Sequence, residues 1–209
     1  MRLAATDALI VVDMQPDFCP GGPLAVPDGD AILPAINRLI PRFGIVVATQ
    51  DWHPPGHASF ASSHPGKQPF DTVTLDYGEQ NLWPDHCVQG TPGAELHPGL
   101  DVAGVQMTVR KGFRKGVDSY SAFRENDRKT DTGLAGYLRE RGGKRVFLTG
   151  LAADVCVFFS AMDAKAAGFE TVFLNDATAG IDRAGSRARA QQAMDEAGVV
   201  RMASDALEG

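Results

Sequence analysis

The 209-residue chain has little of what several protein classes require. Its three cysteines are an odd number without framework spacing, which excludes a disulfide-stapled scaffold and points to a reducing compartment, so a cytoplasmic location is expected. No apolar run approaches the roughly 20 residues of a membrane span, and the N-terminus lacks the basic flank and long apolar core of a signal peptide. A membrane partner is therefore not expected. Positive charge is also short: 20 Lys and Arg stand against 26 Asp and Glu, a net charge of -6, which gives no basic surface for a phosphate backbone and argues against a nucleic-acid partner. Neither Gly-X-Gly-X-X-Gly after the first apolar run nor Gly-X-X-X-X-Gly-Lys-Ser/Thr occurs, so no nucleotide cofactor site is indicated. Internal repeats and low-complexity tracts are absent too.

What the chain does have is alternation of apolar runs with helical patterns. Ala8 to Val12, Ile45 to Gln50, Val105 to Val109, Arg145 to Thr149 and Glu170 to Leu174 are short, β-branched runs that predict buried strands, with a last short one at Val199-Val200. Between them lie predicted helices: one through Ile32, Ile36, Leu39 and Ile40 capped by Asp28 or Asp30, then Thr132 to Glu140, Val155 to Ala167 closed by Gly168, and Ser186 to Ala197. The alternation implies an α/β fold, a central, mostly parallel sheet covered on both faces, built as a single domain over residues 1-209. From about 51 to 104 the chain is rich in Pro, Gly, His and Asp with no sustained period, and this length predicts a site-building loop insertion.

Asp13, Asp51, Lys111 and Cys156 each fall at or just beyond the carboxyl end of a different predicted strand, the edge at which such sheets bind ligands. Asp154 is the expected N-cap of the helix that follows, which places Cys156 about two residues inside, where unpaired N–H groups and the helix dipole favour a thiolate. The same N–H groups can hold an oxyanion. Taken singly, most free cysteines are small buried hydrophobes, and most strand-end carboxylates and lysines are solvated. Together they form a nucleophile, Cys156, with a proton acceptor and donor, Asp13, and a fixed cation, Lys111. Asp51 and His53 point the same way in an extended segment; with His86 they offer two imidazoles and a carboxylate, a set suited to one divalent transition metal ion such as Zn, Fe or Mn. His57 and His64 stand as further candidates.

Five blocks carry a resemblance: Val12-Asp13-Met14-Gln15-Pro16-Asp17-Phe18, Asp51-Trp52-His53-Pro54, Trp83 to Ala94, Lys111-Gly112 with Asp118 to Phe123, and Gly150-Leu151-Ala152 through Cys156. In that order they resemble the nicotinamidase and pyrazinamidase branch of the isochorismatase-like cysteine hydrolases, from about Ala8 to Asp182. The resemblance implies a three-layer α/β/α fold and hydrolysis of nicotinamide to nicotinate and ammonia through a thioester. It implies Asp13, Lys111 and Cys156 as the triad and Asp51, His53 and His86 as ligands of a metal that binds the pyridine nitrogen. Phe18, Trp83 and Tyr120 become pocket walls, and the N–H groups of Ala152 and Cys156 the oxyanion hole, beside a cis peptide between Leu151 and Ala152. Ala153 departs from the family, which usually has threonine there.

Rival readings are another hydrolase of the same fold, such as an isochorismatase or N-carbamoyl amidase, and a non-catalytic binder or redox sensor using Cys156. The combined Asp-X-His and Trp-Pro-X-His blocks argue against the first, and an intact acid–base set against the second. Metal identity, preference among amides and oligomeric state, a homo-oligomer included, are not encoded in any motif.

Overall fold

The computed structural model describes residues 1–208. Six strands form one parallel sheet: β1 (Ala8–Val12), β2 (Ile45–Asp51), β5 (Met107–Lys111), β6 (Arg145–Leu151), β7 (Glu170–Ala179) and β8 (Val200–Met202), in the order β5-β2-β1-β6-β7-β8. Both faces of β1 are fully buried, which explains its unbroken apolar run. Leu9 and Val11 pack in one core with Leu33, Ile36 and Leu39 of α1 (Leu33–Leu39). Ala8, Ile10 and Val12 pack in a second core with Leu134 and Leu138 of α2 (Leu134–Glu140), Val157, Ala161 and Ala164 of α3 (Cys156–Ala166) and Met194 of α4 (Ser186–Glu196). The expected three-layer α/β/α architecture is thereby formed.

Several local expectations are corrected. The predicted strand at 105–109 is displaced to 107–111, so Lys111 is its last residue and pairs with Asp51 across the sheet. β7 continues beyond Leu174 because pairing with β6 resumes at Thr178 and Ala179 after an irregularity. Neither Asp28 nor Asp30 caps α1: a 3-10 turn over Gly29–Ile32 comes first, and α1 starts at Leu33 with Pro34 in its first turn, where a missing N–H costs nothing. The insertion at 51–104 is not wholly irregular. It contains an antiparallel hairpin of β3 (Thr72–Leu75) and β4 (Gly78–Asn81), turning through Asp76 and Tyr77.

At the sheet centre Gly150 has φ +104°, and a Cβ there would lie 2.0 Å from the carbonyl oxygen of Val12. Only glycine permits β6 to pass this close to the end of β1. The close passage brings the turn after β6 against the residue after β1, Asp13, whose own φ is +46°.

Candidate active site

Cys156 is the first residue of α3, and the N-cap position belongs to Val155, which makes no side-chain cap. Asp154 does not cap, contrary to expectation. Its carboxylate instead accepts from the N–H groups of Ile181 and Asp182 at 2.9 Å each and from the Ser186 hydroxyl, tying the β6–α3 turn to the segment before α4. The first turn of α3 therefore keeps free donors. Among the described residues neither the Ala152 nor the Cys156 N–H is spent on a protein acceptor, and the Leu151–Ala152 peptide is cis.

Three elements bring charge to the sulfur. The Lys111 ammonium, fully buried, lies 3.6 Å from Cys156 Sγ, 2.7 Å from Asp13 Oδ2 and 3.0 Å from the Ser119 carbonyl, and also donates to Asp51 Oδ1. Asp13 Oδ1 accepts from the Thr49 hydroxyl at 2.5 Å, which leaves Oδ2 turned to the lysine. Asp13, Asp51 and Cys156 offer atoms that all lie within 4.8 Å of one another. Burial disfavours charge on Lys111, but Asp13 and Asp51 outweigh it and hold the ammonium charged well above the usual lysine range. Burial raises Asp13, with Lys111 opposing and Asp51 adding; Asp51 itself is held well below its usual range because Lys111 and His53 overcome its burial. Against the expected preference for a thiolate, burial pushes the Cys156 thiol well up, Lys111 pulls it back, and two carboxylates push it up again.

Asp51 faces two ways. Its Oδ2 lies 3.6 Å from His53 Nε2 and 3.6 Å from His86 Nε2, and the three side chains are buried. Each histidine spends Nδ1 on a backbone carbonyl, His53 on Gly112 at 2.9 Å and His86 on Pro84 at 2.8 Å, which turns both Nε2 atoms towards the carboxylate. Gly112 is required here: its φ is +64°, and a Cβ would fall 2.4 Å from the His53 ring. Two imidazole nitrogens and a carboxylate oxygen within 4.8 Å, with the outer nitrogens already anchored, form a donor set that fits a divalent transition ion. His57 stacks on His53 with ring centroids 4.3 Å apart, and both of its nitrogens already have partners: Nδ1 the Ser59 hydroxyl, Nε2 the carbonyls of Arg114 and Val117. His64 bonds the Ala58 carbonyl at 2.8 Å.

A pocket opens over the thiol, lined by Phe18, Trp83, Tyr120, Ala152 and Cys156 with Asp51 and His86 at one side. It joins the sulfur, the free Ala152 donor and the Asp51 and His86 side of the histidine cluster in one space. Sequence reasoning missed Ser119, whose carbonyl holds the lysine, and Thr49, which orients Asp13. The Thr49 position was readable as a buried polar residue in β2, but its partner was not.

Parallel α/β architecture with a strand-edge thiol, carboxylate and lysine defines a class of cysteine hydrolase. The isochorismatase domain model matches residues 7–205, and the chain belongs to that family. It is 55% identical over 204 residues to a nicotinamidase of Acinetobacter baylyi, covering 98% of this chain and 95% of the relative. It superposes with a TM-score of 0.88 on a structure from L. infantum solved in complex with nicotinate, at 42% identity over 100% of this chain and 98% of that one. A Pyrococcus horikoshii pyrazinamidase solved in complex with zinc matches at a TM-score of 0.78 and 38% identity, covering 95% of this chain and 99% of that one.

Proposed function

We propose that this chain is a nicotinamidase, a metal-containing cysteine amidohydrolase that converts nicotinamide to nicotinate and ammonia and also accepts pyrazinamide. The observation that carries the reading is Lys111 bridging Asp13 and Cys156 beneath a pocket with two unspent N–H groups. Its identity to a relative named nicotinamidase supports the substrate. A role in pyridine nucleotide salvage follows from such a product, and a cytoplasmic setting agrees with three free thiols.

The chemistry starts from a protonated thiol. A carboxamide placed over Cys156 receives the sulfur at its carbon as the thiol proton passes to Asp13 Oδ2. Lys111 holds the charge on either side of that transfer. The oxygen that becomes negative lies against the N–H groups of Ala152 and Cys156, donors fixed before the reaction begins. Asp13 then returns the proton to nitrogen, the C–N bond breaks and ammonia leaves a thioester on Cys156. Water attacks the thioester, Asp13 takes its proton and passes it to the departing sulfur, and nicotinate is released.

Asp51, His53 and His86 would hold the ion. When bound, it supplies a Lewis-acidic anchor for the pyridine nitrogen. Phe18, Trp83 and Tyr120 enclose the ring, exclude water and limit the site to planar substrates. The test is ammonia release: the protein should turn over nicotinamide, Cys156→Ala should abolish this while keeping the fold, and His53→Ala should leave purified protein depleted of metal. A protein that releases no ammonia from nicotinamide or pyrazinamide when metal-loaded would refute the reading.

A further inference from the structure

The β3–β4 hairpin is exposed along most of its length, yet one of its side chains is not: Gln80 is 1% exposed. Its carboxamide lies where three parts of the site meet. Nε2 donates to Asp118 Oδ2 at 2.9 Å and to the Tyr120 hydroxyl at 2.8 Å, and also reaches the Asn81 carbonyl at 2.6 Å. Oε1 accepts from the Tyr77 hydroxyl at 2.9 Å and from Asn126 Nδ2 at 3.3 Å. The amide cannot be flipped. Asn126 Oδ1 already accepts from the Tyr120 N–H at 3.1 Å, so Asn126 presents N–H to Gln80, while Asp118 presents only acceptors.

What Gln80 holds is the pocket wall. Tyr120 is gripped at both ends, its N–H by Asn126 and its hydroxyl by Gln80, and that hydroxyl also accepts from Trp83 Nε1 at 3.3 Å. The two rings stand edge to face, their centroids 6.0 Å apart. On its other side Gln80 fixes Asp118, whose Oδ1 accepts from the Ser119 N–H and sits 3.9 Å from His53 Nε2; Ser119 in turn presents its carbonyl to Lys111. We infer that Gln80 is a positioning residue for the substrate ring: the hairpin is part of the site, and its amide sets the angle and separation of Trp83 and Tyr120 without touching the reacting atoms. This rests on the amidase reading above. It goes beyond it in naming what shapes the aromatic slot.

The experiment compares wild type with Gln80→Met, which keeps length and apolar volume but donates nothing, and with Tyr120→Phe and the double variant. Removal of a wall-positioning contact lowers binding of ground and transition states together, so KM for nicotinamide should rise about tenfold in Gln80→Met with kcat within about threefold. The double variant should show much less than the product of the two single effects, because both substitutions break one contact. Iodoacetamide labelling of Cys156 and metal content should match wild type. A purely structural glutamine predicts the reverse: a lower melting temperature with KM per folded site unchanged. Should Gln80→Met not fold, Tyr77→Phe loosens the same amide from its far end and should raise KM about two- to threefold. KM within twofold of wild type in Gln80→Met, or unchanged in Tyr77→Phe where that alone folds, or fully independent effects in the double variant, overturns the inference. Absence of ammonia release in wild type would be a failure of the activity reading instead, and is separated by running wild type first.

Discussion

Lys111 is fully buried, and everything within reach of its ammonium is an acceptor or an acid. One cation among Asp13, Asp51 and Cys156 can neutralise only part of the charge that ionising all three would create. In the proposed mechanism the thiol proton therefore leaves as the sulfur attacks the substrate carbon. Asp13→Asn keeps the shape and the Thr49 contact but removes the proposed acid–base group, so kcat should fall by about 10²- to 10⁴-fold with the fold intact. Steady-state ammonia release measures this, and retention of most activity would place the base elsewhere. Alkylation reads the same electrostatics. Cys156 lines the pocket whereas Cys19 and Cys87 do not, so iodoacetamide should label it first and nicotinamide should protect it. Because burial raises its pKa, the labelling rate should keep climbing from pH 7 to 9 rather than level off, as it would for a resting thiolate.

Among elements, the β6–α3 turn shows how a local sequence pattern can be read correctly in place and wrongly in role. An acidic residue before a helix predicts a cap, but Asp154 is more strongly satisfied by two N–H groups and a hydroxyl from 181–186. Those partners lie in a distant segment and no local pattern encodes them. Asp154→Ala should lower stability by about 2 kcal/mol, with a larger loss if both freed N–H groups stay dry. Urea denaturation checks it. The strands were legible because a doubly buried parallel strand needs a continuous apolar run, as at Ala8–Val12, and the site residues because they end such runs. The hairpin was not legible: Thr72–Leu75 alternates over only four residues in a segment dominated by Pro and Gly, and its pairing is a property of the partner strand. Gln80 was invisible for a related reason, since its partners on 118–126 are set by tertiary packing. Cys156 was found from its neighbours in sequence, but the upward shift of its thiol depends on burial and on carboxylates at the carboxyl ends of β1 and β2.

On the scale of the whole molecule, the buried groups bias stability towards one side of the pH range. Cys19 is pushed up to about 11 by burial and then Asp30, Cys87 and Cys156 stand well above the usual thiol range, and burial also raises Tyr77 and Tyr120. Each has a folded pKa above its unfolded value, so its contribution is whole below the unfolded pKa and is lost as pH rises towards the folded one. For the thiols that loss begins at about pH 8.5, and each adds about 1.4 kcal/mol per pH unit to the slope while it is ionised only in the unfolded chain. Urea midpoints should thus decline from about pH 8.5 upwards, and Cys19→Ala should reduce the slope by about one proton. An unchanged slope would mean that the Cys19 thiol ionises as readily folded as unfolded. The close passage of Gly150 beneath Val12 has a different consequence, for the order in which the molecule acquires its parts. β1 and β6 are neighbours at the centre of the sheet, yet β2, the hairpin, β5 and α2 all lie between them in the chain. Their pairing closes the longest loop that the site depends on, a step whose entropic cost is met only when both flanking cores collapse upon it. Asp13 and Cys156 are therefore expected to meet late, and a chain emerging from the ribosome without β6 carries every residue of the histidine cluster and the lysine but no assembled nucleophile.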